Sequence, residues 1–195
     1  MNLFPSAARR TALLPLLGLL LLSSCDKLEE TLDSKPVLPP ATQLGRDTFG
    51  CLLDDKVWVP SRKSAIDDIL EAQLAPEGKG FVLKAEDNQA GANFYLRVSD
   101  PAQIHPGTYP LGRGFQASYE VWRNGRLEEY SAGTADQGTI TITRFDRTTK
   151  TTTVQGQPVT ETSGIVSGTF EFTAVNGSGQ AITVREGRFD VFANE

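Results

Sequence analysis

Histidine and cysteine are almost missing: the 195 residues hold one of the former and two of the latter. Zinc needs three or four nitrogen or thiolate ligands, so a zinc site is excluded. A histidine-based triad has only His105 to draw on, and Ile104-His105-Pro106-Gly107 is the setting of a turn histidine. No Asp-x-Asp-x-Asp-Gly loop occurs; Asp54-Asp55 and Asp67-Asp68 come nearest to a calcium cluster. Basic charge is short too, at 19 Lys+Arg against 24 Asp+Glu, which argues against a nucleic-acid partner. A sustained 3.6-residue apolar period is lacking, which excludes a helical bundle, and two cysteines exclude a disulfide scaffold. An apolar share of 39% nevertheless excludes wholesale disorder. This composition predicts a protein that is not an enzyme and uses no cofactor.

What the chain does carry begins with an address. Arg9 and Arg10 precede an apolar run from Ala12 to Leu22, the order of an export signal. The run is too short to span a bilayer core, which takes roughly 20 apolar residues, and Pro15 and Gly18 weaken it further as a helix. Directly behind it, Leu22-Ser23-Ser24-Cys25 resembles the lipobox of bacterial lipoproteins. Residues 1–24 then form a cleaved signal peptide and Cys25 the lipid attachment site. Several acyl chains at about 0.8 kcal/mol per buried CH₂ hold a protein in the membrane far better than one chain does. The Arg9-Arg10 pair lacks the aromatic of a twin-arginine signal, so general secretion is expected.

Residues 25–43 read as a lipidated tether, acidic first and Pro-rich after, and residues 44–195 as one domain. At about 3.1 Å per residue in an extended form, Asp26 to Gln43 reach roughly 55 Å. Removing residues 1–24, which hold two arginines and no acid, leaves 17 basic and 24 acidic side chains, a net charge of −7. Such a surface is repelled by anionic headgroups, so lipid and not a basic patch must hold the protein at the outer membrane. Asp26, Lys27, Glu29 and Glu30 resemble the acidic, lysine-containing signal that sends Bacteroidota lipoproteins to the cell surface, while Leu28 interrupts it. A plain spacer on the periplasmic face stays equally open.

Within the domain the apolar period is two. Phe81, Leu83 and Ala85 alternate with polar neighbours, as do Phe94, Leu96 and Val98, with Asp87 to Gly91 joining the two runs. Phe115 to Val121 alternate in the same way before Asn124-Gly125, the signature of a type I′ hairpin turn. Ile140 and Ile142, then Phe170, Phe172 and Ala174, mark two further strands. After Val184 the parity slips to Phe189 and Val191, which predicts a bulge at Gly187. Cys51 to Val59 form a hairpin about Asp54-Asp55, and Thr148 to Thr162 are polar β surface or a loop. Ser64 to Leu74 fits a helical turn running into a strand. The fold class is all-β: an antiparallel sandwich or barrel of about 8–10 strands with at most one short helix.

Thr48-Phe49-Gly50, Val57-Trp58-Val59-Pro60, Ser167-Gly168-Thr169-Phe170 and Gly187-Arg188-Phe189-Asp190 together resemble lipoprotein families of Bacteroidota known as domains of unknown function. Asp54-Asp55 stands where those families have Asn-Gly. The resemblance implies a β fold and a surface or periplasmic lipoprotein, and implies no catalytic residues. Arg-Phe-Asp recurs at 144–146 and 188–190, suited to cross-strand ion pairing or to an Arg-lined carboxylate site. Cys51 reads as a small buried hydrophobe. Trp122 and Tyr130, assigned to the outward face of one hairpin, are the candidates for ligand binding. The expected role is a lipid-anchored binding or structural module of the envelope, with the membrane, an envelope protein or a glycan as its partners. A lipocalin-like carrier of an apolar ligand is the alternative. A core filled by Phe94, Leu96, Phe170, Phe172 and Phe189 separates the module from the carrier.

Overall fold

Each run of two-residue periodicity is a strand in the computed structural model, which describes residues 36–133 and 137–195. The strands are β1 (Thr48–Leu53), β2 (Lys56–Trp58), β3 (Leu70–Leu74), β4 (Gly80–Asp87), β5 (Ala92–Ser99) and β6 (Gly107–Pro110). After them come β7 (Phe115–Arg123), β8 (Arg126–Ser131), β9 (Gly138–Phe145), β10 (Thr148–Val154), β11 (Gln157–Asn176) and β12 (Ala181–Asn194). The all-β expectation holds. Twelve strands replace the expected 8–10, because β6 is short and β10 is wholly polar but for Val154, so neither shows an apolar alternation.

β3-β4-β5-β7-β8 form an antiparallel meander, and β2-β1-β12-β11-β9-β6 form the facing half. The two halves close into a ring of β12, β3, β4, β5, β7, β8 and β11. Both joints are thin. β12 meets β3 in parallel at Asn194↔Gln73, and β11 meets β8 at Val175↔Ser131 and Asn176↔Tyr130. The parallel joint departs from the purely antiparallel expectation. Side chains, not hydrogen bonds, therefore hold the halves together. Phe94 stands 5.7 Å from Phe49 and 6.3 Å from Phe172, Phe81 stands 5.7 Å from Phe189, and Phe115 stands 6.1 Å from Phe172.

β11 and β12 belong to both halves, and their register explains two motifs. Gly168 lies opposite Phe189, and Phe170 lies opposite Gly187, so two Gly-x-Phe triplets interlock antiparallel. A Cβ on Gly187 would stand 2.5 Å from the Phe170 ring, and one on Gly168 would stand 2.8 Å from Phe189 and 2.5 Å from the Thr141 carbonyl oxygen. Each glycine exists because the opposite ring occupies its side-chain space. The bulge falls at Glu186 (φ 50°), one residue before the expected Gly187. Gly187 stays in the ladder because Phe170 must lie against it.

Three two-residue hairpin turns take left-handed conformations at both central positions, as type I′ geometry requires: Asp54-Asp55, Asn124-Gly125 and Gln155-Gly156. Asp54 compensates for its strain by accepting the Thr183 amide at 2.8 Å, and Asp55 pairs with Arg185 at 2.5 Å. The helical turn expected from Ser64 does not form. Asp67 instead accepts the Lys63 and Ser64 amides at 2.9 and 2.8 Å, and Ile66, within that segment, is 92% exposed. A 3-10 turn occupies Pro76–Gly78, and Leu70–Leu74 is the strand that the ambiguous segment was expected to enter. Among the described residues no helix is long and apolar enough to cross a membrane.

Two substitutions test this packing. Gly187→Ala should cost about 1–3 kcal/mol through overpacking, and its cost should shrink beside Phe170→Leu, read as non-additive denaturation midpoints. Phe172→Ala should cost about 3–5 kcal/mol, against about 1 kcal/mol or less for Arg188→Ala, whose partner Glu186 lies on the surface.

Candidate functional site

The strand rows that place core residues inward necessarily place the intervening polar residues together outside. One such row runs Thr108, Thr141, Thr169, Arg188 across β6, β9, β11 and β12. Thr108 and Thr141 join through their hydroxyls at 3.0 Å. Beside this row Thr139 lies opposite Glu171, and the bulge brings Glu186 to the same face. Apart from Thr108, these side chains line a cleft of about 470 Å³, with Ala41 and Gly187 also in its lining and Phe170 beneath. Arg188 folds back over the bulge, donating to the Glu186 carbonyl at 3.0 Å and to its carboxylate at 3.1 Å. The cleft thus offers hydroxyls, a guanidinium and two carboxylates, a surface made for hydrogen bonding and without a nucleophile–base pair.

A second row, Arg144, Ser167, Asp190 and Thr48, holds the approach of the N-terminal segment. Asp190 is 1% exposed, although it points away from the core, because residues 42–46 cover it. It accepts the Thr42 hydroxyl at 2.5 Å, the Leu44 and Gly45 amides at 2.9 and 2.8 Å, and the Ser167 hydroxyl at 2.7 Å. Arg144 donates to the Gln43 carbonyl and to Asp146, the latter at 2.5 and 2.8 Å. Pro36 to Gln43, expected as the end of a free tether, therefore lie with the domain, whose compact unit runs Pro36–Glu195. Burial by itself would raise the Asp190 pKa. Donation from Thr42, the Leu44 amide, Ser167 and the Gly45 amide outweighs it and holds the carboxylate at about 2, below its ordinary 3.8.

The two Arg-Phe-Asp copies do not form the expected cross-strand ion pairs. Arg144 pairs with Asp146 just past the end of β9, Arg188 turns to Glu186, and Asp190 accepts from hydroxyls and backbone amides. Both copies instead converge on the N-terminal segment, a role invisible while the partner lies over a hundred residues away. Trp122 and Tyr130 are separated as well. The two-residue turn at Asn124-Gly125 sets Trp122 opposite Leu127 and Tyr130 opposite Tyr119. Trp122 is consequently 60% exposed on the outer face, whereas Tyr130 is 3% exposed inside and is no surface ligand-binding residue.

His105 is engaged by Tyr109, whose hydroxyl lies 2.9 Å from the ring Nδ1, donates to the His105 carbonyl at 2.9 Å and accepts the His105 amide at 3.0 Å. That is a turn clasp. Cys51 is buried, and burial pushes its thiol pKa up to about 12, so it packs as a hydrophobe. Among the described residues no three His, Cys, Asp or Glu side chains gather to hold a metal ion. Cys25 lies outside the described residues. Compared with family models, curated proteins and solved structures, the chain matches none.

The depressed Asp190 pKa makes the clasp sensitive to acid. A carboxylate whose pKa falls on folding contributes stability that is present above its unfolded pKa and is lost as pH drops through the folded one. Stability should therefore fall by about 2 kcal/mol between pH 5 and pH 2 on account of Asp190. In Asp190→Asn, measured by denaturant titration at each pH, that part of the slope should vanish while stability at pH 7 falls.

Proposed function

We propose that this is a lipid-anchored protein of the bacterial outer membrane whose β domain binds an envelope component on its outer surface and performs no chemistry of its own. The observation that carries the reading is the filled interior. Phe94, Leu96, Phe170, Phe172 and Phe189 are all buried, and the four phenylalanine rings lie against one another or against Phe49 and Phe81. A carrier would need that space for its ligand, so the lipocalin-like alternative loses its main support. Binding then falls to the outside, where the threonine, arginine and glutamate cleft suits a ligand rich in hydroxyl or amide groups, as envelope glycans and peptides are. The anchor is supported by Leu22-Ser23-Ser24-Cys25 directly behind an apolar run. The resemblance of its Thr-Phe-Gly, Val-Trp-Val-Pro, Ser-Gly-Thr-Phe and Gly-Arg-Phe-Asp segments to Bacteroidota lipoproteins supports the same reading.

Replacing Cys25 with alanine should abolish partition into the detergent phase and leave the signal peptide uncleaved. Normal processing with unchanged partition sinks the anchor. Protease shaving of intact cells places the domain: digestion means the surface, and complete protection means the periplasmic face. For the cleft, Thr141→Val with Thr169→Val should weaken calorimetric binding of oligosaccharides released from the envelope, and unchanged binding removes the cleft from the proposal.

A further inference from the structure

A sheet that ends in open strands must protect those edges, because unpaired N–H and C=O groups accept any passing strand. Three strands stand at the ends of this sheet among the described residues, β2, β6 and β10, while β3 and β8 are joined to β12 and β11 only at their tips. Two of the three ends are blunted. β2 has three residues and is followed by Val59-Pro60, and β6 has four residues, follows Pro106 and ends in Pro110. β10 carries no such device. It runs seven residues, Thr148–Val154, with no proline, no glycine, no bulge and a single charge at Lys150. Its only ladder partner is β11, in regular register from Thr148↔Ser163 to Val154↔Gln157.

The β10–β11 arm also lacks a reason to stand alone. β12 ends opposite Ser163, so residues 157–161 of β11 have no second neighbour either, and every one of them is exposed. A two-stranded ribbon with no buried face is marginal in water. Val154 and Val159 are left on its surface. One face carries paired threonines, Thr149 with Thr162 at 3.2 Å and Thr151 with Thr160 at 3.1 Å between hydroxyls.

We infer that β10 adds, edge to edge, to β10 of a second copy of this chain, antiparallel about a two-fold axis at Thr151, joining the two arms into one four-stranded sheet. The occupant is a second copy because the strand is complementary to itself. About Thr151, Thr149 meets Thr153 of the second copy and Lys150 meets its Thr152, so the lone charge never faces its own kind. Lys150 keeps Glu161 as its cross-strand neighbour within each arm. The threonine ladder runs on unbroken, Thr160 to Thr151 to the second Thr151 to the second Thr160. A symmetric contact of this kind closes on itself and stops at two copies.

The full-length protein in its own membrane tests this with Thr151→Cys, since Cys51 is buried and cannot compete. Mild oxidation should give a disulfide-linked dimer, while Lys56→Cys on the short edge of β2 should stay monomeric. In purified protein, Thr151→Glu and Thr151→Lys should each weaken the dimer roughly two- to fivefold by placing like charges across the axis, and mixing the two variants should restore it. Protease resistance equal to the parent protein confirms that each variant is folded. A folded Thr151→Cys protein that gives no dimer overturns the proposal, as does a dimer no more abundant than that of Lys56→Cys. Cross-linking of Thr151→Cys to a different protein overturns it in favour of a foreign strand on the same edge. Charge variants that leave the dimer unchanged move the axis away from Thr151 and overturn it as well.

Discussion

Two glycines and two phenylalanines, interlocked across β11 and β12, set the geometry on which the rest of the domain is built. These strands serve both halves of the sheet, so whatever fixes their spacing and register also fixes where the meander closes. A ring that lies over a glycine in the opposite strand brings two large aromatics into the space of one pair of side chains. The rings of Phe170 and Phe189 then lie 6.3 Å apart and reach the meander directly at Phe81 and by way of Phe49, which lies against Phe94. Since the two joints of the ring rest on very few ladder pairs, this aromatic layer carries the closure.

The same strands organise the outside. Register that aims Gly168 and Phe170 inward aims Ser167 and Thr169 outward, one toward the N-terminal clasp and the other into the cleft. Asp190, beside the core residue Phe189, stays ionised under residues 42–46 because four of its donors come from that segment and a fifth from Ser167. A buried carboxylate so surrounded is worth more than a surface ion pair and is correspondingly costly to leave unpartnered. It ties the chain that leads toward Cys25 to the β11–β12 pair.

Much of the fold was legible. Alternation at Phe81–Ala85, Phe94–Val98 and Phe115–Val121 marked strands because a half-buried sheet imposes a two-residue period. Asn124-Gly125 announced its hairpin, and the same turn contained the register that puts Tyr130 inside; pairing Tyr130 with Tyr119 across it would have corrected the outward assignment. The candidate site was hardly legible at all. Thr139, Thr141 and Thr169 are ordinary strand residues, and only the pairing of β9 with β11 makes them neighbours of one another and of Arg188. The two Arg-Phe-Asp triplets were visible as a repeat, but their common target lay at the far end of the chain.

By itself, then, the sequence determined the all-β class, most strands, the inward faces and the motif at Cys25, because these depend on local period, turn chemistry and short spacing. Only the tertiary structure decided that the sheet closes into a ring, that the bulge sits at Glu186 and not Gly187, and that residues 36–43 dock. It alone also decided which polar residues share a face. Those outcomes turn on contacts between residues far apart in sequence, where ring volume against glycine and hydrogen-bond satisfaction of a buried carboxylate outweigh any local preference.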